Sequence, residues 1–122
     1  MQEKKFADGI FSENDFMGVA DMDIQAQRRG LRVIVHLAGE LDHHSASQVR
    51  GSLDLILRDV TVREMQLDMT GVTFMDSAGL GVVLGRYRTL SSRGGRMIVS
   101  GVRTPIDRIF RMSGIYALVE RQ

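Results

Sequence analysis

Asp76-Ser77-Ala78-Gly79-Leu80-Gly81 puts a carboxylate, a hydroxyl and two glycines within six residues. If a helix begins here, Asp76 is its N-cap, with its carboxylate accepting the N–H of Ala78 or Gly79, and Ser77 is the first helical residue. The hydroxyl then stands at a helix N-terminus, where free N–H groups and the helix dipole favour an anion. Ser77, Gly81 and Gly85 recur at i, i+4 and i+8, which makes a stripe of small residues. A helical glycine costs about 1 kcal/mol relative to alanine, so Gly79, Gly81 and Gly85 so close together imply that something approaches this backbone. The sheet beneath the helix or a partner protein would each explain it, and spacing alone leaves both open.

Other chemistries fail on particular residues. A nucleophile elbow needs Gly-x-Ser-x-Gly, and Met75 stands where the first glycine belongs. No lysine follows the glycines, so a phosphate-binding P-loop is not encoded. Gly79, Gly81 and Gly85 also miss the dinucleotide fingerprint by one residue. A serine hydrolase using Ser77 would need a base fixed against it. His36, His43 and His44 all lie upstream, with nothing in the pattern to hold one there. Asp42-His43-His44 lacks metal-ligand spacing and reads as a loop of polar contacts. With no cysteine, disulfides, thiolate catalysis and cysteine-based zinc sites are excluded. No cofactor or metal is implied. An exposed hydroxyl flanked by small residues suits a site that another protein must reach.

The elements that would position this hydroxyl follow from periodicity. Residues 1–17 read as a flexible leader before a domain over 18–122. Val19–Gln27 alternates weakly, as an edge strand does. Arg28-Arg29-Gly30 is a turn, and the β-branched run Leu31–Leu37 is a strand ended by Gly39. Ser45 and Gln48 have capping-box spacing, ahead of a helix whose inner face is Val49, Leu53, Ile56 and Leu57. Glu64–Met69 is a strand, and Thr70–Ser77 connects it to a second helix that buries Leu80, Val83, Leu84, Tyr87 and Leu90. Arg93-Gly94-Gly95 closes that helix and Arg96–Ser100 is a strand. Thr104-Pro105 opens a third helix, lined by Ile106, Ile109, Phe110 and Ser113 and stopped by Gly114. Ala117–Glu120 is a last short strand. Strands alternating with helices predict an α/β fold, a mixed and mostly parallel sheet of four to five strands reached by right-handed crossovers.

The totals suit one compact domain: 122 residues, 43% hydrophobic and 25% charged. No apolar run approaches the ~18 residues of a membrane helix and no signal-peptide pattern opens the chain, so a cytoplasmic protein is expected. The net charge of +1 is uneven. Residues 86–122 hold eight arginines against Asp107 and Glu120. A solvated face explains this tract, and without a nucleic-acid module no direct nucleic-acid partner is expected.

Three segments carry a family resemblance. Gly39-Glu40-Leu41-Asp42-His43-His44-Ser45-Ala46, the run Phe74–Tyr87 and Phe110-Arg111-Met112-Ser113-Gly114 resemble the STAS-domain anti-sigma-factor antagonists, nearest the sporulation sigma-F branch. The likeness runs from about Gly18 to Glu120. It implies a phosphoprotein without activity of its own. Unphosphorylated, it would bind an anti-sigma factor that is a serine kinase and so free the sigma factor. Ser77 matches the phosphorylated serine, and a PP2C-type phosphatase would restore its hydroxyl. Asp42, His43, His44, Ser45, Asp76, Ala78, Gly79, Leu80, Gly81 and Gly85 would form the partner surface. Antagonism in a general stress-response circuit is the alternative. Ala78 stands where relatives often carry a second serine or threonine. The chain also stops where relatives usually continue into a final helix, which would leave apolar sheet surface bare or covered by the leader.

Overall fold

Alternation along the strands decides which face of the sheet the helices cover. The computed structural model describes residues 10–12 and 22–122. Among these, one sheet runs in the order β1 (Ile10–Ser12), β2 (Met22–Arg29), β3 (Arg32–Leu41), β4 (Glu64–Met75), β5 (Arg96–Ser100) and β6 (Glu120–Arg121). The pairs β1–β2 and β2–β3 are antiparallel, while β3–β4, β4–β5 and β5–β6 are parallel. The parallel connections carry α1 (Ala46–Leu57), α2 (Ser77–Ser92) and α3 (Thr104–Ser113), the last followed by a 3₁₀ turn at Ile115–Ala117. The α/β, mostly parallel architecture read from the sequence is therefore present.

Val33, Val35 and Leu37 on β3, Met65, Leu67 and Met69 on β4, and Met97 and Val99 on β5 are all buried. Residues two apart share a face of a strand, so these form one apolar sheet face. The helices cover it with Val49, Leu53, Ile56 and Leu57 of α1 and Ile106 and Phe110 of α3, at the helical spacing expected. The alternate residues make a polar ladder across the strands. Arg32 Nε donates to Glu64 at 2.9 Å, Arg96 Nε donates to the other Glu64 oxygen at 2.7 Å, and Gln66 donates to Ser100 Oγ at 3.2 Å. His36 Nδ1 lies 2.7 Å from Asp68 Oδ2 in the same row. This face was expected to be either bare and apolar or covered by the leader; among the described residues it carries these cross-strand polar pairs together with Ile34 and buried Ile98.

Several boundaries differ from the sequence reading. Within the expected leader, Ile10–Ser12 adds an edge strand; the rest of residues 1–17 lies outside the described residues, as do Val19–Asp21 of the expected edge strand. β3 passes Gly39 and reaches Leu41, and β4 continues through the expected loop to Met75. The two strands stay paired by slipping register, between His36 and Ala38 and between Gly39 and Glu40. Gly39 takes φ of +118°, which side chains disfavour, and a Cβ on Gly71 would come within 2.7 Å of Ala38 Cβ. Pairing with β3 outweighs the local turn signal at Thr70-Gly71. The capping box is absent: Ser45 makes no side-chain cap bond, and the Gln48 amide donates to the Met22 carbonyl at 3.3 Å. The last strand forms later than expected, at Glu120–Arg121, because Gly114 (φ +78°) turns the chain into the 3₁₀ segment.

Candidate functional site

Two strand ends place the site. β3 delivers Asp42 and β4 delivers Asp76, and these neighbouring parallel strands end side by side, with Leu41 opposite Met75. Asp76 is extended (φ −116°, ψ −170°) and caps α2 as expected. Its Oδ1 accepts the N–H of Ala78 at 2.9 Å and of Gly79 at 3.1 Å. Its Oδ2 reaches across to the other strand end, accepting the His43 backbone N–H at 3.0 Å, with His43 Nδ1 at 3.4 Å. Burial pushes the Asp76 carboxyl up, and the N–H groups of Gly79, His43 and Ala78 more than reverse this, holding it below its ordinary value.

Asp42 does for its loop what Asp76 does for α2. Its Oδ1 accepts the N–H of His44 at 2.9 Å and of Ser45 at 3.1 Å, an Asx turn that replaces the capping box. Burial raises its pKa, but the Ser45 and His44 N–H groups more than offset this, so the carboxyl stays below its usual range. The loop leaves His43 and His44 exposed, their ring centroids 4.0 Å apart. Beside it lies an open depression of about 510 Å³ lined by Gly39, Glu40, Asp42 and His44.

Ser77 is exposed as the first residue of α2. Ala78 and Leu80 are half-buried. Gly81 is exposed and Gly85 partly so, and a Cβ on either would meet open space. Two residues placed at the surface by the sequence reading are inside. Ser45 is 1% exposed, its Oγ donating to the Glu40 carbonyl at 2.6 Å. Gly79 is buried, and a Cβ there would lie 2.3 Å from the Leu41 carbonyl oxygen. The glycines therefore divide: the sheet end accounts for Gly79, and nothing within the described chain approaches Gly81 or Gly85. The buried face of α2 is correspondingly rotated, with Val82, Val83 and Leu90 inside while Leu80, Leu84 and Tyr87 are only partly covered.

Phe74, 49% exposed at the end of β4, is a surface residue the sequence reading missed. Alternation would turn it inward or outward with Val72. Val72 is buried, and the register slip between Gly39 and Glu40 breaks the phase. Nothing in the sequence marks that slip.

The model of the STAS domain matches residues 23–121. The chain belongs to the STAS-domain family. This STAS domain is 36% identical over 99 residues to an anti-sigma F factor antagonist from Paenibacillus polymyxa, covering 81% of this chain and 85% of that one. It is 30% identical over 89 residues to an anti-sigma-B factor antagonist of Listeria monocytogenes, covering 70% and 75%. Among solved structures it is similar to the Bacillus cell fate determinant SpoIIAA in the phosphorylated form, with 30% identity and a TM-score of 0.66 over 81% of this chain and 90% of that one. In the STAS domain described here, the arginines of the C-terminal tract are dispersed. Arg86 lies 3.1 Å from Asp54, Arg103 donates to the Thr70 carbonyl, and Arg111 and Arg121 share Asp107. They form no single stripe. No helix of the described residues is long and apolar enough to cross a membrane.

Proposed function

We propose that this STAS domain is an anti-sigma factor antagonist switched at Ser77. Unphosphorylated, it binds an anti-sigma factor that is also a serine kinase and thereby releases the sigma factor. Phosphorylation of Ser77 ends the binding, and a PP2C-type phosphatase restores it. The chain acts as phosphoacceptor and ligand, not as an enzyme.

The observation that carries this reading is the position of Ser77: an exposed hydroxyl at the start of α2, one residue after a carboxylate that ties α2 to the His43 loop. His43, His44, Leu80, Gly81 and Gly85 lie on the elements that flank it and would meet the partner. Asp42, Ser45, Asp76, Ala78 and Gly79 would hold that surface in shape. The likeness to an anti-sigma F antagonist is higher and longer than that to the anti-sigma-B antagonist, which favours the sporulation branch over a general stress circuit.

The test uses the anti-sigma kinase with labelled ATP. Wild type should take up label, and Ser77→Ala should bind the kinase and stay unlabelled. Ser77→Asp should fold normally and bind poorly, because negative charge is placed beside Asp76 where a hydroxyl must sit close to the partner. Label on Ser77→Ala, or undiminished binding by the phosphoprotein, refutes the assignment. Comparing kinases of the sigma-F and sigma-B type separates the two circuits.

A further inference from the structure

Arginines far apart in sequence meet at the end of the sheet opposite Ser77. β3 and β5 begin there at Arg32 and Arg96, in register with Glu64, and β2 ends there with Arg28 and Arg29. The returns from α1 and α2 add Arg63 and Arg93: Arg63 donates to the Arg93 carbonyl at 2.5 Å and Arg93 to the Asp59 carbonyl at 3.4 Å. Carboxylates compensate only part of this charge. Asp59 takes Arg28, Glu64 is shared by Arg32 and Arg96, and Glu120 also meets Arg96. Arg29, Arg63 and Arg93 have no carboxylate partner among the described residues. In a chain of net charge +1, this end carries a concentrated positive field.

Two aliphatic side chains stand in that field, Leu31 at 60% and Val60 at 65% exposure. One guanidinium fixes the turns that carry them. Arg28, whose side chain is 12% exposed, donates to the Gly30 carbonyl at 2.8 Å, to Asp59 at 2.5 Å and to Thr61 Oγ1 at 2.7 Å. Leu31 and Val60 thus lie on turns tied together by a partly buried guanidinium, which lowers the ordering cost of binding.

We infer that this pole is a second docking surface, taken by a carboxylate-rich protein segment with an aliphatic centre. Arginine surrounding an apolar centre is the composition of protein interfaces, and arginine forks pair with carboxylates bidentately. Leu31 and Val60 would have no role against a phosphate backbone, and two loop-tip aliphatics are too little apolar area to hold a bilayer. β4 separates the pole from Ser77 by twelve residues, on the order of 35 Å at the usual rise, so an occupant here does not compete with a partner at Ser77.

The test titrates the full chain into a fluorescein-labelled peptide of glutamates interspersed with leucines, beside a duplex DNA and vesicles of phosphatidylcholine with phosphatidylserine. The peptide should bind more tightly than either. Arg29→Glu with Arg63→Glu should weaken it about tenfold or more, as loss of close charge pairs does. Leu31→Ser with Val60→Ser should weaken it several-fold, and Arg108→Glu, on the exposed side of α3, should leave it unchanged. Thermal melts check that each variant is folded, and Ser77 labelling by the kinase should be the same in all of them. A preference for DNA or vesicles, no binding to the peptide, or indifference to charge reversal overturns the inference and leaves the Ser77 reading untouched.

Discussion

Asp76 and His43, thirty-three residues apart, are joined by a 3.0 Å hydrogen bond from the His43 backbone N–H to the Asp76 carboxylate. The other carboxylate oxygen caps α2. One side chain therefore sets the helix that starts with Ser77 and the loop that presents the histidines. Asp76→Ala should speed amide hydrogen exchange at His43, Ala78 and Gly79 together, lower the Tm and weaken kinase binding. Faster exchange at Ala78 and Gly79 without any change at His43 would show that the cross-link is dispensable.

The glycines of α2 should behave in opposite ways. Gly79→Ala drives a Cβ into the Leu41 carbonyl and should cost about 1–3 kcal/mol, as overpacking does. Gly81→Ala and Gly85→Ala add a methyl to open space and should each stabilise by about 0.5–1 kcal/mol through the unfolded state. If a partner uses that open backbone, the same two changes, and Gly81→Leu more so, should weaken kinase binding while the Tm holds or rises. Urea unfolding and binding measured on each variant check both halves.

Phosphorylation has a sign that the sequence alone does not reveal. A helix start favours an anion, yet the N–H groups of Ala78 and Gly79 already serve Asp76. A phosphate on Ser77 adds like charge beside that carboxylate without gaining those donors. The phosphorylated domain should melt at the same temperature as the unmodified one or slightly below it. With phosphoserine installed in Asp76→Ala, the donors are free and the phosphate should raise the Tm of that variant. A clear rise in the wild-type background would contradict the account.

Acid should destabilise the domain, and Asp59 shows why. Thr61 and Arg28 hold its carboxyl at about 2 against an ordinary 3.8. A folded-state pKa below the unfolded value gives stability that is full above the ordinary value and lost as pH falls toward about 2. Asp42, Asp68, Asp76, Asp107 and Glu64 shift in the same direction. The Tm should therefore drop steadily on acidification. Asp59→Asn should flatten that slope and lower the Tm near neutrality; an unchanged slope would show that the pair with Arg28 contributes nothing.

Periodicity made the core legible in the sequence because burial on one face leaves a repeat of two in strands and 3.6 in helices. Val33, Val35 and Leu37, and Val49, Leu53 and Ile56, are buried on that pattern. Asp76 and Ser77 were legible because a cap is a local arrangement of a few residues. The extension of β4 to Met75 was not, since it depends on pairing with β3 through two slips of register. Exposed Phe74 follows from that same long-range geometry, while Ser45 is buried where its hydroxyl turns back onto the Glu40 carbonyl. The convergence of Arg28, Arg63 and Arg93 comes from topology, which brings the end of β2, the start of β4 and the end of α2 to one pole.

The carboxylates of Asp42 and Asp76 act almost wholly on main-chain N–H groups, those of His43, His44, Ser45, Ala78 and Gly79. Every residue but proline supplies such a group, so the scaffold is indifferent to most side chains it displays. Exchanging the imidazoles of His43 and His44 or the isobutyl of Leu80 alters what a partner meets while leaving the two turns intact. A duplicated copy of this domain is thus free to drift toward a new partner while keeping the fold it inherited.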